Sequence, residues 1–225
     1  MLNAAWLIAR KDLRLVLARG AGLVQALLLG LLLIFVFSLS REAGETMSGQ
    51  GAATIFWLAS AFCQVLSFNM LYGVEESNGA RAGLLLLPVP LQSVWLGKAA
   101  AGLCLILTAQ ALFLPAIIVF LGQSIGNGWL PALLALVLTD IGMAALGSLL
   151  GALSQGQAAR ESLLSIVLFP LIIPVLLAGI RLCAGGFSEA LPEGADSWLG
   201  IAVAFDAVFL AAGLVLFPFV FSGDE

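Results

Sequence analysis

Six stretches of predominantly apolar residues dominate this chain: roughly Ala21–Leu39, Ala52–Tyr72, Ala99–Leu121, Leu130–Leu153, Ser162–Leu182 and Leu199–Phe221. Each is about 20 residues long, the length a helix needs to cross the hydrocarbon core of a bilayer. Interior prolines and glycines, and the absence of strict alternation, exclude a barrel, because open strands cannot satisfy their backbone groups in lipid. With 62% hydrophobic and only 10% charged residues, the chain also lacks the polar surface that a soluble domain of 225 residues requires. The expected fold is an all-α polytopic membrane protein with a single transmembrane domain over residues 1–225.

Charge placement gives an orientation. Arg10, Lys11, Arg14 and Arg19 precede the first run, Arg81 and Lys98 lie between the second and third, and Arg160 lies between the fourth and fifth. Placing the N-terminus inside puts seven of the nine basic residues in the cytoplasm, and the positive-inside rule favours that arrangement. Six spans then return the C-terminus to the same side. Of the opposite loops, 184–198 is the longest, acidic, and able to carry a short helix capped by Ser188. A basic region of this length followed by a full-length span is read as a retained first helix rather than a cleaved signal.

Ahead of the first span, WLIARKDLRLVLAR sets Leu2, Trp6, Ala9, Leu13 and Val16 at helical spacing, with Arg10, Lys11 and Arg14 on another face. This suits a helix over 1–19 lying in the membrane interface, tryptophan at headgroup depth and bases toward phosphates. A juxtamembrane extension of the first span is the simpler alternative.

Within the spans, Asp140 and Asp206 are costly and need a reason: fastening of neighbouring helices, a substrate path, or proton coupling. Gln64, Asn69 and Tyr72 form a polar trail on the second span. Gly142, Gly147, Ser148 and Gly151 mark a face of the fourth that allows close packing. Pro115, Pro170 and Pro174 interrupt the helical donor series. The three cysteines have no CxxC spacing and read as small core residues. The chain has no histidine, no Walker lysine loop and no nucleophile elbow, so it is not expected to be an enzyme by itself.

The least ordinary segment is VEESNGARAGLLLLPVPLQSVWLGK, residues 74–98, too short to span and too apolar for a free loop. Together with the basic start KDLRLVLAR and SLLSIVLFPLIIPVL in the fifth span, it resembles the heme exporter protein B (CcmB) family. That family comprises the permease subunits of the cytochrome c maturation ABC transporter. The likeness covers essentially the whole chain. It departs from the family's G-x-L-E pattern, since Gly79-Ala80-Arg81-Ala82 lacks the acidic residue that Glu75 and Glu76 would then supply.

The resemblance implies a cytoplasmic ATPase partner that binds ATP, a second copy of the chain, a heme-handling membrane subunit and a heme chaperone. No cofactor is expected on this chain alone, with heme handled by the complex, and no nucleic acid is expected among its partners. It implies the bacterial inner membrane, with both termini cytoplasmic. It makes 74–98 a coupling loop in which Glu75, Glu76, Gly79, Leu84, Leu85, Leu86, Leu87, Pro88 and Pro90 contact the ATPase. The rival readings are an ion-gradient transporter using Asp140 and Asp206, and a scaffold that transports nothing.

Overall fold

The computed structural model describes residues 1–40, 47–77, 79–155, 160–187 and 194–222. Among the described residues, eight α-helices run in chain order: α1 (Leu2–Arg19), α2 (Ala21–Leu39), α3 (Gly49–Ser77), α4 (Ala80–Leu85), α5 (Leu91–Leu121), α6 (Trp129–Leu153), α7 (Arg160–Ala184) and α8 (Ala195–Ser222). One 3₁₀ turn, Gly185–Phe187, follows α7, and there is no strand among the described residues. Six of the helices (α2, α3, α5, α6, α7 and α8) are long and apolar enough to cross a membrane. The expected helical membrane fold is therefore present.

The bundle is sorted by what each helix carries. α3 and α6 hold most of the in-span polar and small side chains and are buried along most of their length, whereas α2 and α8 are nearly all apolar and mostly uncovered. Lipid solvates an apolar side chain as well as a protein interior does, so only the polar helices gain from being enclosed. Around the central pair, α2, α5 and α7 pack on α3, while α5, α7 and α8 pack on α6. α1 lies against α5. Only Gly20 separates α1 from α2. Its φ of 57° is a conformation that favours glycine and lets the chain change direction in one residue.

Contact between α3 and α6 depends on the glycine face. The Phe68 ring occupies the space a side chain at Gly147 would fill, and the Tyr72 ring does so at Gly151. Gly142 faces the Asp206 carboxylate of α8 in the same way. α5 continues through Pro115, and α7 through both Pro170 and Pro174.

Several expectations are corrected. The second and third membrane helices are longer than the apolar runs: α3 continues to Ser77 and α5 begins at Leu91, so the segment outside them is 78–90 rather than 74–98. The extension is tolerated because the charges it brings into the helices, Glu75 and Lys98, neutralise each other. The face of α1 packed on the protein is Ala5, Ile8, Ala9, Asp12 and Val16, and Leu2 and Trp6 lie exposed beside it. Asp12 turns the helix toward α5, where its carboxylate finds a lysine. In the 184–198 loop, Ser188 lies outside the described residues, and 195–198 already belongs to α8. Cys104 is exposed, whereas Cys63 and Cys183 are buried, and all three are free.

A Gly147→Val protein is expected to lose about 1–3 kcal/mol through overpacking against Phe68 and Gln64. In contrast, Gly200→Ala in α8, where an added methyl meets nothing within 4 Å, should be neutral or stabilising by about 0.5–1 kcal/mol. Thermal unfolding in detergent distinguishes the two.

Candidate functional site

Where α1, α3 and α5 converge, two ammonium groups meet two carboxylates. Lys98 of α5 is wholly buried, and its Nζ lies 2.8 Å from Glu75 Oε2 and 3.3 Å from Asp12 Oδ2. It donates to Asp12 Oδ2 and, at 3.2 Å, to the Leu71 carbonyl, and the ammonium stands 4.4 Å from the centre of the Tyr72 ring. At the rim, Lys11 Nζ lies 2.8 Å from both Asp12 Oδ1 and Glu75 Oε1. The four charges sum to zero. Each carboxylate bridges both lysines, which is how the charges offset the cost of leaving water.

The same sequence spacing that makes α1 a helix puts Asp12 into this cluster. Ala5, Ile8, Ala9, Asp12 and Val16 form one stripe at three- and four-residue intervals, so the carboxylate occupies a slot that would otherwise hold an apolar side chain. Gly97, next to Lys98, has no side chain to hold α1 away: a Cβ there would lie 2.7 Å from the Ala5 carbonyl oxygen. Burial works to lower the Lys11 ammonium, but Asp12 and then Glu75, by charge and hydrogen bonding, hold it above its ordinary value of 10.5.

The cluster continues into α6. Tyr72, its ring beneath Lys98, donates its hydroxyl to the Ser148 carbonyl at 2.6 Å, and Ser148 Oγ donates to the Trp95 carbonyl of α5 at 3.2 Å. Gln155 Nε2 donates back to the Tyr72 carbonyl at 3.4 Å. Two turns earlier on α3, Gln64 donates to the Met143 carbonyl of α6. Half-buried Asn69 lies between them on the trail.

The structure separates the remaining expected site residues. Glu75 is 2% exposed and turned toward Lys11 and Lys98 of its own chain. The Glu76 side chain is outside the described residues. In the leucine cluster, Leu84 is buried in the chain's own core, whereas Leu85 and Leu87 are partly open and Leu86 is 85% exposed. Gly79, with φ of 64°, turns the chain into α4, and Pro88 and Pro90 lead to α5, with Pro90 extended at its N-cap. Trp6, Arg10 and Arg14 point outward from α1, and Lys11 is half-buried.

The two intramembrane carboxylates face different neighbours. Asp140 accepts from Gln110 Nε2 at 2.8 Å, while Asp206 has no hydrogen-bond partner among the described residues. Asp12, Lys98, Ser60 and Gln110 were not anticipated as site residues. For Asp12, the helical stripe contained the signal. For Lys98, the signal was a helix counted from the residue after Pro90 rather than from Ala99.

The profile of the CcmB protein family matches residues 3–223. The chain belongs to the CcmB family. Among individual CcmB proteins, it is 27% identical over 187 residues to heme exporter protein B of Haemophilus influenzae, an alignment covering 80% of this chain and 84% of that one. Against the Rhodobacter capsulatus heme exporter protein B, identity is 27% over 214 residues, covering 93% and 92%. The Escherichia coli K12 protein of the same name is 30% identical over 96 residues, 43% of this chain and 44% of that one. The match to the CcmB profile thus includes α1, the 78–90 segment and all six long helices.

Removing one partner should be worse than removing a pair. Lys98→Met leaves Asp12 and Glu75 facing only Lys11, and is expected to cost about 3–5 kcal/mol, whereas adding Glu75→Gln to it restores most of the loss. Chemical unfolding of the two proteins in detergent measures the difference. Because the folded Lys11 value is raised, its contribution is full below pH 10.5 and is lost as pH rises through the higher folded value. The melting temperature should therefore fall more steeply above pH 10.5 in the natural protein than in Lys11→Met.

Proposed function

We propose that this chain is the membrane-embedded permease subunit of an ATP-driven complex that delivers heme during cytochrome c maturation, as its relatives' name, heme exporter protein B, suggests. The observation that carries the reading is the position of α4 and the exposed Leu86. They sit between α3 and α5, the two helices locked together through Glu75 and Lys98. A partner pressing on 79–90 moves two membrane helices and α1 as one body, because separating them would strand charges in a dry interior.

On this reading a cytoplasmic ATPase covers Leu85, Leu86 and Leu87, and ATP binds there rather than on this chain. Glu75 acts from inside, holding the coupling element, instead of touching the ATPase. α1 lies along the cytoplasmic interface, with Trp6 at headgroup depth and Arg10 and Arg14 toward phosphates. Both termini are cytoplasmic, the membrane is the bacterial inner membrane, and the working unit pairs two copies with the heme-handling subunit and chaperone.

Replacing Leu86 with Glu should abolish co-purification of the ATPase while leaving the fold intact. Glu75→Gln with Lys98→Met should retain the ATPase yet reduce heme delivery to the chaperone about tenfold or more. An ATPase retained by Leu86→Glu with normal heme delivery would sink the assignment of this segment.

A further inference from the structure

Beside the bend at Gly20, where α1 ends and α2 begins, the three neighbouring helices leave a space unfilled. It is a cavity of about 200 Å³, lined by Val16 and Arg19 of α1, Gly22 of α2, and Met70, Gly73 and Val74 of α3. α2 is long and apolar enough to cross a membrane, so its first turn marks one boundary of the hydrocarbon and the cavity lies at that level. Three of its walls are apolar side chains, and two are glycines that present backbone alone. Arg19 is the one charged residue of the lining.

The charge of Arg19 has no counterpart within the chain. Asp12 and Glu75, the described acidic side chains of α1, α2 and α3, are shared between Lys11 and Lys98. Arg19 is exposed, and neither it nor Arg10 or Arg14 forms an ion pair among the described residues. The neutral cluster therefore adjoins a surface with surplus positive charge. A guanidinium is a planar fork of donors that meets phosphate oxygens two at a time. Valine and methionine walls favour methylenes over water.

We propose that this cavity binds one anionic phospholipid, its phosphate on Arg19 and its glycerol and first methylenes against Val16, Met70 and Val74. The volume is below that of a drug-sized site, so it takes the part of the lipid nearest the phosphate and leaves the chains in the bilayer. Arg19 decides the class of lipid. A phosphate with an uncharged headgroup satisfies the fork, whereas a choline headgroup sets a second cation beside the first. A lipid seated there joins α1 to α3 next to the Lys11–Glu75 pair, since Val74 adjoins Glu75. The proposal needs only that α2 crosses the membrane, and it is separate from the ATPase contact at 79–90.

The test titrates the full chain in detergent with dioleoyl phosphatidylglycerol or dioleoyl phosphatidylcholine and reads bound lipid by native mass spectrometry. One phosphatidylglycerol per chain should be retained, with about tenfold higher affinity than phosphatidylcholine. Arg19→Gln should remove that advantage. Arg10→Gln, the same change of charge two and a half turns away on the opposite face of α1, should leave it in place. Millimolar inorganic phosphate should not displace the lipid, because it gains nothing from the apolar walls. Equal retention of the two lipids by the natural protein would overturn the proposal without recourse to any variant. So would equal losses in Arg19→Gln and Arg10→Gln, which mean attraction to the general surface charge only. Displacement by inorganic phosphate would make this a free-anion site and overturn it as well.

Discussion

Two lysines and two carboxylates, brought together from three helices, set the terms for one whole end of this molecule. Each charge alone would make its helix a poor membrane segment, since an ionised side chain in hydrocarbon costs several kcal/mol. Assembled, they sum to zero and satisfy one another, and the helices that carry them cannot drift apart without exposing a bare charge. α3 and α5 can therefore extend beyond the apolar runs to Ser77 and Leu91. The short helix between them inherits rigid supports on both sides. The Tyr72–Ser148 contact extends the same frame to α6, so α1 and three of the six long apolar helices answer to one polar junction.

The six long helices were legible because apolar length is a local property of sequence. Helix ends were less so, because hydropathy counts Glu75 and Lys98 as reasons to stop, and only their mutual pairing lets the helices continue. The side of α1 that docks on the bundle was not legible either, because it is set by the one contact that an apolar scale scores as unfavourable, Asp12 to Lys98. Asp140 was recognisable as a residue that needs an explanation, but its partner Gln110 lies on another helix 30 residues away. No periodicity within one segment reveals such a pairing. The glycine face of α6 was legible as permission for close packing, while the identity of the intruding rings, Phe68 and Tyr72, was not.

The polar residues of the bundle interior join the same three helices at two depths. Near α4, Tyr72, Ser148, Trp95 and Gln155 link α3, α5 and α6, and Lys98 donates to Asp12 and to the Leu71 carbonyl. Toward the other end, Gln110 of α5 donates to Ser60 of α3 and Asp140 of α6. Each such link stiffens the helices that it joins.

The separation of Asp12 from Lys98 along the chain, 86 residues, also has a consequence in time. During synthesis α1 emerges before α5, and the lysine that anchors it is not made until two membrane helices, α2 and α3, have been threaded. Until then the neighbouring Lys11 and Asp12, whose side chains meet at 2.8 Å, can hold each other's charge at the water boundary. α1 is thus translated before the helix that seats it and waits through two membrane spans for its anchor. Its docking on α5 becomes a checkpoint of assembly, closed only after the start of α5 is in place.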